Sequence, residues 1–149
     1  MCTIKIAKMQ SCHKRYVKKI AYESLNTLTE KFYFRLTLMF DNIFIFHVAL
    51  HGDVVVGFVS AITTSQDGVV IGNIAVTARH KRKGIANLLL RNCLESYQGE
   101  KITLQVRESN IVAQSLYAKF GFEKVDVVKN YYPIKGRFAK ENGLVMVRR

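Results

Sequence analysis

The sequence predicts an α+β fold in which about four helices flank a mixed central sheet of about seven strands. Runs dominated by β-branched and aromatic residues, Phe44–Leu50, Val54–Thr63 and Val69–Val76, follow one another through short turns. Beyond Val76 the apolar period changes from that of a strand to that of a helix. The chain then returns to strand-like runs before its end. Strands first, then helix and strand in alternation, is the pattern of one mixed sheet with helices laid on it.

Thr3–Ala7 alternates as a strand does, and Cys12–Ser24 sets Val17, Ile20, Ala21 and Tyr22 among lysines and arginines, which suits an amphipathic helix. Asn26–Thr29 reads as a connection, and the aromatic-rich Glu30–Phe40 as a second helix. The meander that follows turns at His51-Gly52-Asp53 and at Ser65-Gln66-Asp67-Gly68, both with hairpin chemistry. Ile85, Leu88, Leu89, Cys93 and Leu94 then fall on one helical face. Lys101–Val106 is a strand, and Asn110–Phe120 a helix stopped by Gly121, a residue suited to the left-handed C-terminal cap. Val125–Val128 and Leu144–Val147 close the sheet.

One domain, 1–149, is expected, because the chain carries no repeat, low-complexity tract or Pro/Gly-rich linker. A hydrophobic fraction of 49% and a charged fraction of 23% belong to a globular protein. Met1–Gln10 lacks the apolar stretch of a signal peptide. Leu36–Leu50, broken by Asp41, Asn42 and His47, is too short and polar for a bilayer span, so no membrane partner is expected. Cys2, Cys12 and Cys93 are odd in number and form no Cys-x-x-Cys pair, which argues for a reducing cytoplasmic compartment and against a disulfide framework or zinc site. Cys93, in an apolar helical stretch, reads as a buried thiol. His13, His47, His51 and His80 show no ligand spacing, so no metal is implied. The net charge of +12 selects anionic partners: nucleic acid, ribosome, acidic peptide or a phosphorylated cofactor. Cationic small-molecule acceptors such as polyamines would be repelled.

Arg79, His80, Lys81, Arg82 and Lys83 directly precede Gly84 and the third helix. Cations at a helix N-terminus oppose its partial positive charge, at about 0.3–1 kcal/mol each. An anion bound there removes the conflict, since Gly84 lets the backbone approach and first-turn N–H groups point at the ligand. A solvated basic loop is the alternative. The basic run alone would favour it, but the run stands inside a longer string.

That string, Asn73-Ile74-Ala75-Val76 and then Arg82-Lys83-Gly84-Ile85-Ala86-Asn87 before an apolar helix, resembles the acetyl-CoA motif of the GNAT acetyltransferases, Gln/Arg-x-x-Gly-x-Gly/Ala after a strand. Lys81 departs from the usual first residue and keeps its charge; Ala86 is an accepted variant. Leu104–Asn110 and Ser115–Phe122 are similar to that family's second half. Asn130-Tyr131-Tyr132-Pro133 resembles its N-terminal (α-amino) acetyltransferases, among them the bacterial ribosomal-protein-alanine enzymes and their archaeal relatives. The resemblance covers roughly residues 50–149 well and the first 40 poorly.

The resemblance implies acetyl-CoA as cosubstrate, direct attack by an amine, and a protein or peptide N-terminus as acceptor, with the ribosome as a further partner and no specific DNA binding. A small-molecule amine or internal-lysine acetyltransferase, a non-catalytic acetyl-CoA sensor and an RNA- or ribosome-binding module are the alternatives. Backbone N–H groups near Ile74, Ala75 and Val76 would hold the pantetheine arm and polarise the thioester, and Arg82, Lys83, Gly84, Ile85, Ala86 and Asn87 the pyrophosphate. Tyr117 would be the general acid, although an aromatic between Leu116 and Ala118 is by itself more often structural. Asn110, at a helix start, suits a cap and a cofactor contact equally. Tyr131 and Tyr132 would line the acceptor groove, or be strand-edge aromatics. The base is the gap: Gln105 stands where the bacterial enzymes carry a glutamate and cannot take a proton. Glu30, in Leu28-Thr29-Glu30-Lys31-Phe32, loosely resembles a loop glutamate of archaeal and eukaryotic relatives; an ordinary surface glutamate is the plainer reading. An α-amine, with a pKa of about 7.7–8.0, needs a base less than a lysine at about 10.4.

Overall fold

The computed structural model describes residues 3–40, 42–66 and 68–149; Cys2, Asp41 and the turn residue Asp67 lie outside the described residues. Its strands are β1 (Ile4–Lys8), β2 (Ile45–His51), β3 (Val54–Thr64), β4 (Gly68–Val76), β5 (Ile102–Arg107), β6 (Glu123–Pro133) and β7 (Lys140–Arg148). Its helices are α1 (Lys14–Ser24), α2 (Leu28–Met39), α3 (Ile85–Ser96) and α4 (Ile111–Lys119). The strands form one sheet in the order β1-β2-β3-β4-β5-β7-β6. The β4/β5 pairing is parallel while β1/β2, β2/β3, β5/β7 and β6/β7 are antiparallel, so the sheet is mixed as predicted.

Several element boundaries differ from the sequence reading, among them β7, which begins at Lys140 rather than Leu144; two of the differences have a clear local reason. Leu28 and Thr29 belong to α2 rather than to a connection, because Thr27 and Glu30 form a capping box that starts the helix at Leu28. β6 runs on to Pro133, well past Val128, because a bulge between Val128 and Tyr132 absorbs two extra residues and the ladder to β7 then resumes. Asn130 makes that possible by adopting φ 53°, left-handed backbone that asparagine tolerates.

The chain forms two compact units. The first holds residues up to Ile62 together with Gly72–Gln98; the second holds Thr63–Ile71 and Gly99–Arg149. In the first, Val17, Ile20 and Ala21 of α1 and Phe34 and Leu38 of α2 bury against Phe46, Val48, Val55 and Phe58 of β2 and β3. Phe34, Phe46 and Phe58 stack edgewise or tilted with centroids 5.5–6.3 Å apart. Each such ring contributes about 1.5–3 kcal/mol by burial. Gly57 is required by close approach: a Cβ there would stand 3.0 Å from the Ala75 carbonyl oxygen and 3.2 Å from Leu89 Cδ1. In the second unit, Ile102, Leu104 and Val106 alternate inward along β5, with Leu144 and Met146 of β7 opposite them. Thr103, Gln105 and Arg107 therefore share the other face of β5.

Candidate active site

In the first unit the end of β4 presents its backbone in two directions. Asn73 N–H donates to Ser60 Oγ at 3.0 Å and Thr77 N–H to the Val56 carbonyl at 2.9 Å, so the odd residues of this stretch face β3. Alternation then turns Ile74 and Val76 away from β3, beyond the β5 register, which extends only over Val69–Ile71. Of the three residues expected to offer N–H groups, Ile74 and Val76 turn theirs away from β3. Ala75 does not, because its peptide faces β3, as its carbonyl beside Gly57 also indicates. Ser60, fully buried, went unnoticed in the sequence. Its signal was there: it is the one hydroxyl in the apolar run Val55–Ala61, and its Oγ supplies the acceptor that Asn73 needs.

After Val76 a short turn of 3₁₀ helix, Ala78–His80, leads into an exposed loop, Lys81–Gly84, and then α3. Arg82 has φ 61° and Gly84 φ 78°. Left-handed backbone costs a side-chain-bearing residue about 1–2 kcal/mol, so Arg82 is held in a strained conformation. Such alternation of backbone hand turns successive N–H groups into one concavity that binds anions. No side chain caps α3, and its first internal bond is Leu88 N–H to the Gly84 carbonyl at 3.1 Å. The N–H groups of Gly84, Ile85, Ala86 and Asn87 thus have no helical acceptor. Gly84 is needed for its backbone alone, since a Cβ there would touch nothing. Arg79, Lys81, Arg82 and Lys83 make no ion pair among the described residues. Strain, orphan donors and unpaired cations together suit the pyrophosphate of a CoA-type ligand.

Glu30 is engaged elsewhere. Its Oε2 accepts from Asn26 N–H at 2.9 Å, Thr27 N–H at 3.0 Å and Thr27 Oγ1–H at 3.2 Å, the reciprocal half of the box that starts α2. Capping accounts for a carboxylate at this position without any chemistry. Cys93 is buried, and burial pushes its thiol up to about 11, so it stays protonated and is no nucleophile.

In the second unit Asn110 is the N-cap of α4, its Oδ1 accepting Ala113 N–H at 3.2 Å. Tyr117, two turns on, is 6% exposed and stacks edgewise on Phe122 with centroids 5.9 Å apart. Burial pushes its phenol up to about 12, and no hydrogen bond ties the hydroxyl down among the described residues. Gln105 is exposed and lies opposite Val145 of β7.

Tyr131 lies within the β6 bulge and Tyr132 resumes the ladder after it, their rings 4.8 Å apart and nearly perpendicular. Tyr131 is 49% exposed. Tyr132 is held by its neighbours: the Arg107 guanidinium lies 4.6 Å from its ring centroid, and Gly143 of β7 leaves room for the ring, since a Cβ there would stand 3.1 Å from Tyr132 Cε2. Arg107 is itself clamped by Glu141 at 2.9 Å and by the Pro133 carbonyl at 3.1 Å. Bonds from Ser109 and Arg107 outweigh desolvation and hold the Glu141 carboxyl below its ordinary value. This clamp was invisible in the sequence, since Arg107 and Glu141 meet only through the strand register.

The family model for the Acetyltransferase (GNAT) family matches residues 10–122. Over 64 residues the chain is 47% identical to an N-alpha-acetyltransferase of Saccharolobus solfataricus, covering 40% of this chain and 38% of that protein. Over 95 residues it is 38% identical to a [ribosomal protein bS18]-alanine N-acetyltransferase of Haemophilus influenzae, covering 62% and 63%. The chain thus spans less than two thirds of the length of these curated relatives. The crystal structure of the ribosomal-protein-S18-alanine N-acetyltransferase from Escherichia coli superposes with a TM-score of 0.83 at 21% identity, over 97% of this chain and 92% of that one, a likeness of fold.

Proposed function

The chain belongs to the GNAT acetyltransferase family, and from that premise we propose that it transfers the acetyl group of acetyl-CoA to the N-terminal α-amine of a protein or peptide, acting as one domain in the cytoplasm. The observation that carries the cosubstrate is the start of α3, uncapped, strained and preceded by cations that make no ion pair among the described residues. The acceptor class follows the activities named for the Saccharolobus and Haemophilus relatives, and is supported by the paired tyrosines braced on Arg107. A ribosomal-protein N-terminus fits the Haemophilus relative, while the +12 charge suits an anionic surface beside the acceptor rather than the amine itself.

Acetyl-CoA supplies an activated thioester. Residues Arg82–Asn87 would hold its pyrophosphate, through backbone N–H groups first and side-chain charge second. Ile74 and Val76 would offer N–H groups to the thioester carbonyl, the oxyanion-hole role that is commonly the largest electrostatic contribution. Tyr117 Oη–H is the proton donor for the departing sulfur: at about 12 the phenol remains protonated at every workable pH. An α-amine is partly neutral at pH 7, so water suffices to take its proton without a carboxylate at Gln105 or Glu30. Tyr131 and Tyr132 would flank the acceptor's first residues.

The test follows CoA release from acetyl-CoA with three acceptors: a peptide with a free α-amine, the same peptide N-terminally blocked but carrying an internal lysine, and a free polyamine. Turnover with the first alone is expected. Turnover with the blocked peptide or the polyamine instead would overturn the acceptor assignment.

A further inference from the structure

His51 and His80 stand 29 residues apart in sequence, and nothing in the chemistry above uses them. In the first unit they meet. His80 closes the 3₁₀ turn before the cationic loop, its N–H bonding the Thr77 carbonyl at 2.9 Å and its Nδ1 lying 2.9 Å from Thr77 Oγ1. Its Nε2 lies 3.3 Å from Nδ1 of His51, with the two rings edge to face and centroids 5.4 Å apart. His51 is the last residue of β2, paired with Val54 across the hairpin and with Ile4 of β1. A chain of polar contacts therefore runs from the sheet, through His51 and His80, to Thr77 at the mouth of the loop.

We propose that His51 and His80 are positioning residues for the cofactor loop, holding it in its anion-binding shape before the ligand arrives. The loop needs such a tether. It carries Arg82 in strained backbone, and Arg79, Lys81, Arg82 and Lys83 repel one another until an anion is present. A loop that must be ordered on binding spends part of the ligand's affinity on that ordering, and a preformed one does not. The pair works with both rings neutral, or with one proton between them, because one nitrogen of each facing pair can always accept. Desolvation first, then the charges of Lys83, His51 and Arg79, lower the pKa of His80 and favour its neutral ring, the form in which a nitrogen can accept. His51 takes part through Nδ1 alone, which an asparagine amide reproduces, whereas His80 uses both nitrogens and no amide reproduces both.

This inference rests on the loop being the CoA site, so the experiment measures CoA binding by calorimetry on the unaltered protein first. If that protein does not bind CoA, the cofactor assignment falls and takes this proposal with it. If it binds, His51→Ala is expected to weaken CoA by roughly fivefold, the value of about one net hydrogen bond. Turnover at saturating acetyl-CoA should stay within about twofold, so that the loss lies in KM. His51→Asn should restore binding, and His80→Asn should match His51→Ala. The double variant His51→Ala/His80→Asn should be no worse than either single one, because both break the same contact. Unchanged CoA affinity in His51→Ala, failure of His51→Asn to restore it, or additive losses in the double variant would each overturn the tether while leaving the CoA site standing.

Discussion

The helices α3 and α4 begin in opposite ways. α4 starts under its own cap, with Asn110 Oδ1 taking the Ala113 N–H, and α2 likewise starts under the Thr27/Glu30 box. α3 starts with no side-chain cap, a left-handed glycine, and four cations in the approach where anions would be favoured. Among the described helix starts, those of α2 and α4 are sealed by side-chain caps; α1 also lacks one, but α3 alone begins on a left-handed glycine and is the open end. The sealed ends stabilise the fold, while the open one costs stability until an anion fills it. On the proposed function α3 would act through its backbone and α4 through one side chain, Tyr117, and substitutions separate the two.

The largest effect is expected at Tyr117. Tyr117→Phe keeps the ring against Phe122 and removes only the proton donor, so kcat should fall by about 10²–10⁴-fold with CoA affinity unchanged. Because the folded protein holds the phenol at about 12 against an ordinary 10.0, stability should also decline above pH 10. There the unfolded chain releases this proton and the native one keeps it; Tyr117→Phe should flatten that decline in alkaline melting curves. Unaltered kcat would leave α4 with no chemical role.

Next comes the open end. Gly84→Ala places a Cβ in empty space but forces it into φ 78°, at about 1–2 kcal/mol. If the loop relaxes to relieve that strain, the nest opens and CoA affinity should drop by roughly tenfold. Turnover at saturation should hold, and equal losses in Kd and kcat would mean that the loop also shapes the reacting centre. Asn110→Ala makes the opposite comparison. It should lower stability by about 1 kcal/mol, read as a fall in Tm, and leave CoA binding alone. A loss of CoA affinity there would show that Asn110 serves the cofactor as well as the cap.

What could be read in the sequence was whatever is local. The nest is built from consecutive residues, 82–87, and its glycine and cations stand next to one another in the chain, so motif and physics pointed at it together. The strand and helix periods placed all seven strands and four helices for the same reason. Pairings across the sheet were not legible: Arg107 meets Glu141, His51 meets His80, and Ser60 meets Asn73 only once the register is fixed. The β6 bulge adds a residue count that no periodicity carries, and with it the placement of Tyr131 and Tyr132. At Glu30 two local signals overlap: the Thr-x-x-Glu capping signature at Thr27–Glu30 is realised in the structure, and the likeness to a catalytic loop stays an expectation.

The smallest effect is the most diagnostic, because it has opposite signs in the two states. In the free protein Lys81 and Lys83 stand in the exposed loop just before the positive end of α3, with no acidic partner among the described residues. Replacing either with serine should raise the free protein's stability by a few tenths of a kcal/mol, since a misplaced cation at a helix start costs that much. The same replacement should weaken CoA, and more so at low ionic strength, where exposed charges act over longer distances. Melting curves with and without saturating CoA would therefore cross: the variant melts higher when free and gains less on binding. A surface lysine with no ligand to serve would shift both curves together. Capped α4 supplies the control, because Lys119 lies at that helix's C-terminal end, where a cation is favoured, and Lys119→Ser should lower both curves slightly.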